Sequence, residues 1–350
     1  MRHRHGTMTR RGFLRTTVYG AFAGTLGLNI PRQAKPNVSA PRLTRASLIK
    51  GDSRANNVFK ALKLIEDDIR GALAKKKRVL IKPNFVSVRR QLSATHVDCI
   101  KAILEFLRPF VKDDIFIAES PAQGSAAEGY SNYGYYHLHK KYKVKFLELD
   151  DEPFAITYVI NEKYRPRPIR FSRLLLDPDV FVVSAAVMKT HDCVVATLSL
   201  KNVAVGGAIK DKGFRWGARG PAKSDKRVIH GGPANEGIHY NLFSLAKLAP
   251  PDLAVIDGFY AMEGNGPVAG TPLDHRVAIA STDWLSADRI AVELMGFDFK
   301  KIGYLWFAAR EGLGNGDLEK IEVLGERVKN HIRSYRPHEN IRSQYEWIKR

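Results

Sequence analysis

The chain has 350 residues, 44% hydrophobic and 26% charged, with a formal net charge of +20 and two cysteines. That length allows one large domain or two lobes around a sizeable core, and the balance fits an ordinary globular protein. It excludes a membrane span, since no internal stretch reaches the roughly 18 uninterrupted apolar residues needed, and a Cys-rich iron–sulfur or structural zinc cluster.

The first element reads as a signal. "TRRGFLR", Thr9 to Arg15, sets paired arginines before Phe13, Leu14 and another base, and a moderately apolar stretch runs from Thr16 to Ile30. The pattern is similar to a twin-arginine export signal, with Met8 as an alternative start. The apolar stretch is too short for a stable transmembrane anchor. The expected location is therefore periplasmic, or otherwise exported, with the twin-arginine translocase as partner during export. Residues 1–40 hold seven bases and no acid, so removing seven from +20 leaves +13. An exported protein seldom meets nucleic acid. The expected partners are an anionic small molecule or an anionic surface.

Residues 31–45, with three prolines, read as a linker. The stripe Val58, Leu62, Ile65 and Ile69 predicts a helix over 56–73. A buried strand over 78–86 ends in Lys82-Pro83-Asn84. A helix over 95–110 follows, with Thr95 as N-cap. Strands over 114–120 and 144–150 flank a Gly, Ser and Tyr-rich loop. After 154–160 comes a linker with Pro166 and Pro168. The apolar run 180–188 predicts a strand, and 197–209 a helix interrupted by Gly206 and Gly207. Residues 210–237 form a long Gly, Lys and Arg-rich region, uncommon unless functional. Strand, turn, strand and helix then run to 296, and 336–350 form a polar tail that packs loosely or extends. The alternation argues for an α/β fold, a mostly parallel sheet flanked by helices. The domain spans 41–350, with possible lobes over 46–160 and 161–335. "KKKR" (Lys75 to Arg78) and "KKYKVK" (Lys140 to Lys145) read as solvated faces.

In an open parallel sheet, ligands bind beyond the carboxyl ends of the strands. Polar residues gather at the strand ends here: Lys82 and Asn84, Glu119 and Ser120, Lys189 and His191. Lys189 and His191 are two apart and share a side if extended. Thr197 and Lys201 are four apart and share a face if helical. His191, Lys189 and Lys201 are the candidate catalytic residues, since lysines hold anions and histidine moves protons near neutral pH. Lys82, Asn84, Glu119, Ser120 and Asn202 are candidate ligand-binding residues. Asp257, Glu263 and Asp283 are candidate ligands for a divalent cation. Asp288 reads as a helix N-cap, and His96 and Cys99 as structural residues. A Cys193 nucleophile would need an exposed thiolate.

"LIKPNFV", "ATHVD", "IAESPAQGS", "VMKTHDCVVATLSLKNVAVGG", "VIDGFYAMEGNGPVAGTP" and "STDWLSADRIAVELMG" together resemble the DUF362 family, in that family's order over roughly residues 79–296. Many members carry an appended ferredoxin-type cluster; this chain lacks its cysteines, so no iron–sulfur cofactor is expected. The resemblance supplies no residue roles. A fainter similarity, to the nickel-pincer lactate racemase family, would place His191, Gly206-Gly207 and Lys210 in its motif; the spacing differs.

The reading adopted is an exported enzyme of undefined reaction, acting on an anionic small molecule at a Lys, His and carboxylate cleft, with a possible divalent metal. Two alternatives stand beside it: a periplasmic ligand- or cofactor-binding protein without catalysis, and a basic surface-interaction protein.

Overall fold

Val180 to His191 is buried at every position, which is the behaviour of a strand covered on both faces. It forms β7, in the middle of the sheet. The computed structural model describes residues 43–349 apart from Ala218 and Pro233. In it the strands are β1 (Thr44–Lys50), β2 (Arg78–Lys82), β3 (Ile115–Glu119), β4 (Val144–Glu148), β5 (Phe154–Ile160) and β6 (Pro166–Ser172), then β7 (Val180–His191), β8 (Val195–Thr197), β9 (Leu253–Glu263), β10 (Thr271–Ser281) and β11 (Ile321–Gly325). Nine of them make one sheet in the order β11-β1-β10-β9-β7-β2-β3-β4, with β8 paired to β7. The pairs β2/β3, β2/β7, β3/β4, β7/β9 and β1/β11 are parallel, and β10 is antiparallel to both neighbours. The α/β reading holds: the sheet is mixed, mostly parallel and flanked by helices.

Alternation along the strands sends apolar side chains to both faces. Leu80, Val182, Ile256 and Ile279 pack against the helices Ser199–Gly206, Ala234–Ala246, Trp284–Leu294 and Gly303–Arg310. Val79, Ile81, Val183 and Val255 pack against Arg54–Leu64, Val97–Leu107 and Ala126–Asn132. Strands from both halves of the chain enter this single sheet, and Leu43 onward forms one unit. The twin-arginine reading falls on residues 1–40, outside the described residues. Among the described residues, no helix is long and apolar enough to cross a membrane.

Several local expectations differ from what is seen. The segment with Pro166 and Pro168 is strand β6, paired antiparallel with β5 in a separate two-stranded sheet. Prolines are tolerated there because a two-stranded ribbon is all edge. Residues 44–45, placed in the linker, begin β1. The long basic region contains the helix Asp225–His230 and the start of the helix Ala234–Ala246. The N-cap of Val97–Leu107 is His96, not Thr95: its Nδ1 accepts from the Asp98 N–H at 3.1 Å.

The polar tail does not extend. Gln344 is fully buried; its Oε1 accepts from Val195 N–H at 2.6 Å and its Nε2 donates to the His191 carbonyl at 2.9 Å. Asn340 Nδ2 donates to the Asp192 carbonyl at 2.8 Å. The turn between β7 and β8 exposes backbone groups that need partners, and tail amides supply them.

Candidate functional site

β7 runs past the end of β2 and turns back as β8, with Lys189 opposite Thr197 and His191 opposite Val195. Lys189, Thr190 and His191 are therefore part of the strand, not a polar edge beyond it. The helix Ser199–Gly206 follows, carrying Lys201 and Asn202. Thr197 belongs to β8, so Thr197 and Lys201 do not share a helical face. Both ends of this helix are held by charges that match its dipole. At the start, Asp288 accepts from Ser199 N–H at 2.8 Å, from Leu200 N–H at 3.2 Å and from the Ser199 hydroxyl. At the end, Lys226 donates to the carbonyls of Val205, Gly206 and Ala208. Asp288 is thus not an N-cap of its own helix; Asp283 is. Burial pushes the Asp288 carboxyl up to about 7 and pulls the Lys226 ammonium down to about 7.

The first group of polar residues is a closed network. Lys82 Nζ donates to Glu119 Oε2 at 2.6 Å, to the Pro83 carbonyl at 3.1 Å and to Asn202 Oδ1 at 3.2 Å. Asn84 Nδ2 donates to the same Asn202 oxygen at 3.2 Å, and Asn84 Oδ1 accepts from Lys189. Lys189 also donates to the Ser93 carbonyl at 2.9 Å. Asn202 Nδ2 donates to the Lys82 carbonyl and the Ser184 hydroxyl, both at 3.1 Å. Burial pulls Lys82 and Lys189 below the usual ammonium range and pushes Glu119 above the usual carboxylate range, while the ion pair opposes the shift at Lys82 and Glu119. Gly206 makes room for this network: a Cβ there would strike the end of the Lys82 side chain. Ser120 joins its fringe, donating to Asp150 at 2.7 Å, which also pairs with Lys210.

The second group is open. Lys201 is 5% exposed, and among the described residues its ammonium has no hydrogen bond and no ion pair. Burial pulls it down to about 8 against the field of Cys193 and Asp192. Beside it lie His191, Asp192, Cys193 and His230. The two imidazoles stack, with ring centroids 6.0 Å apart, and Trp216 meets His230 edge-on at 5.6 Å. Burial holds both histidines neutral, His191 at about 4 and His230 at about 3, with Lys201 adding to the effect. His191 Nδ1 accepts from Cys193 N–H at 3.0 Å and lies 2.9 Å from Asp192 Oδ1; in the tautomer that keeps the first bond the ring proton is on Nε2. His230 Nδ1 bonds the Lys226 carbonyl at 2.7 Å, so its Nε2 is the acceptor. The Thr197 hydroxyl is buried without a partner.

The cation reading at Asp257, Glu263 and Asp283 does not find a common place. β10 is antiparallel to β9, so Ser281 pairs beside Ala254 at the start of β9, and Asp283 falls at the opposite end from Lys82 and Lys189. There it caps the helix Trp284–Leu294. Asp257 pairs with Arg54 at 3.0 Å. Glu263 accepts from Arg336 N–H at 2.9 Å. Each carboxylate serves a separate local contact. Among the described residues, the donor atoms that converge as metal ligands are those of His191, Asp192 and Cys193, all within 4.8 Å. Burial, then Asp192, push the Cys193 thiol up to about 12, away from the thiolate a nucleophile needs. Cys99 is buried and the two thiols are not joined.

Sequence reading missed His230, which lies 39 positions from His191 on a helix hidden in the long basic region. The length of that region was the available signal. It also missed Lys226. A cleft of about 710 Å³ lies at the amino ends of the strands, lined by Lys76, Lys77, Arg78 and Lys145 among others. These four bases are paired with Asp252, Asp179, Asp177 and Asp114, and the cleft lies away from the open group.

The chain is similar to the "Thylakoid-associated protein" of Synechocystis, 27% identical over 239 residues, covering 68% of each chain. It is also similar to a structural-genomics protein from Thermotoga maritima of solved structure, 15% identical with a TM-score of 0.35, covering 64% of this chain and 55% of that one. The chain thus spans little more than half of that protein's length. Residues 79–293 match the family described as "Domain of unknown function (DUF362)". That stretch includes β2, β7, β8 and the Ser199 helix, so both polar groups lie inside it, and the chain belongs to the DUF362 family.

Proposed function

We propose that this chain is an enzyme that binds a small anionic molecule, a carboxylate or phosphate, at Lys201 and transforms it beside His191 and His230. The observation that carries the reading is Lys201 itself. Its side chain is largely buried, yet its ammonium still reaches the surface and no described protein group pairs it, so the charge is open to an anionic ligand. An anion there would take the ammonium as a donor. The His191 Nε2–H would add a second, and His230 Nε2 would be the base that receives a proton. Lys189, Lys82, Asn84, Asn202 and Glu119 stand behind this pocket as its positioning layer, with Ser120 at their fringe.

The arginine motif at Thr9 to Arg15 supports export as the chain's fate. The Synechocystis relative's name, with the positive charge of this chain, supports a place at an anionic membrane surface.

The test is thermal unfolding of the purified protein with inorganic phosphate, oxalate and malate. A ligand at 100 times its dissociation constant stabilises by about 2.7 kcal/mol. One of these classes should raise Tm saturably, and Lys201→Met should abolish the rise. A response that survives Lys201→Met, or no response to any of the three, overturns the reading. A retained Tm response with no turnover in His230→Gln, set against turnover in the unchanged protein, separates catalysis from binding alone.

A further inference from the structure

We propose that His191, Asp192 and Cys193 bind one divalent transition-metal ion of the Zn²⁺ type at the turn between β7 and β8. One contact in this turn is unfavourable. His191 Nδ1 lies 2.9 Å from Asp192 Oδ1, while the same Nδ1 accepts the Cys193 N–H at 3.0 Å. One ring nitrogen has one lone pair. If it accepts from Cys193, two acceptors face each other at hydrogen-bond distance with nothing between them. If it carries a proton toward Asp192, the Cys193 N–H loses its acceptor. A small reorientation of the ring that turns the Nδ1 lone pair onto a cation shared with the carboxylate removes the acceptor–acceptor contact, at the cost of the weaker bond from the Cys193 N–H.

The geometry suits an ion. With metal–ligand bonds of about 2.1 Å, atoms 2.9 Å apart subtend about 90° at the metal, and a ring shift of about 0.5 Å opens this to the tetrahedral angle of Zn²⁺. The Cys193 sulfur completes a triplet within 4.8 Å. Imidazole, carboxylate and thiolate together favour Zn²⁺ or a neighbouring transition metal over Mg²⁺ or Ca²⁺, which take oxygen ligands. The turn is fixed from outside. Asn340 and Gln344 of the tail hold the carbonyls of Asp192 and His191 and the N–H of Val195, so the three side chains project from a clamped backbone. Such outer contacts orient ligands and tune affinity.

Binding exchanges a proton for the metal. The Cys193 S–H bond breaks, an S–metal bond forms, one proton leaves to solvent, and no group changes oxidation state. One neutral imidazole, one carboxylate and one thiolate balance the two charges of the ion. Three protein ligands leave a coordination position open. That the open position takes the anion held by Lys201 rests on the function proposed above; the metal site itself does not.

The experiment is a titration of the chelator-treated full chain with Co²⁺. One ion per chain should bind, with thiolate-to-cobalt charge-transfer absorption and release of one proton. Cys193→Ser should lose the charge-transfer band. Asp192→Asn should weaken binding by more than about 10-fold, the smallest effect expected even of an outer-shell partner. No stoichiometric binding, or a band that survives Cys193→Ser, overturns the proposal. A phosphate or carboxylate response that persists while Co²⁺ fails to bind sinks the metal site alone. Cobalt binding without any anion response sinks the anion reading alone.

Discussion

Lys82 and Lys201 are two buried lysines on neighbouring elements with opposite circumstances. Lys82 meets a carboxylate, a carbonyl and an amide oxygen, and Gly206 is shaped to its side chain. Lys201 meets none of these. The first is paired within the chain; the second has no protein partner among the described residues. A buried charge that is fully paired is part of the framework, and one left unpaired is where the anion proposed above would sit.

The comparison breaks first at Glu119. Glu119→Ala leaves Lys82 buried without its counter-ion and should lower stability by about 3–5 kcal/mol, read by urea unfolding. A loss below about 1 kcal/mol would mean that the network does not depend on its charge pair. Next comes the helix that carries both Lys201 and Asn202, through Asp288. Its folded pKa is raised above the unfolded one, to about 7. Its contribution is therefore fully present below about pH 4 and is lost as pH rises through about 7. Stability should fall across that window by an amount on the order of 4 kcal/mol. Asp288→Asn should flatten this part of the stability profile, and an unchanged slope would assign it elsewhere. The smallest effect sharpens the contrast by its sign. Lys201→Met removes an unpaired charge and keeps the volume, so the ligand-free protein should gain about 1–2 kcal/mol. A loss in the same assay would show that Lys201 is part of the framework, as Lys82 is.

Much of the framework was legible. The strands that carry Lys82, Glu119 and Lys189 have strong apolar runs with β-branched residues, and their parallel pairing follows from intervening helices. Lys82, Asn84, Glu119 and Lys189 were among the strand-end residues read as meeting at one edge, and the structure joins them, with Asn202, in one network. The reading failed where direction mattered. Asp283 follows a strand that runs the other way, and no local pattern says which way a strand pairs. Gln344 sits in a tail polar enough to suggest solvent; its burial follows from backbone groups of a hairpin about 150 positions earlier.

By itself the sequence determined the α/β class, the positions of the central strands and the gathering of lysines and amides at one sheet edge, because side-chain periodicity and helix–strand alternation are local properties. Only the tertiary structure decided which lysine is paired and which is open. It also brought His230 to His191, and set Nδ1, carboxylate and thiol of three consecutive residues side by side in one clamped turn. Those outcomes depend on contacts between distant segments and on the burial they share, and neither is written in any one stretch of chain.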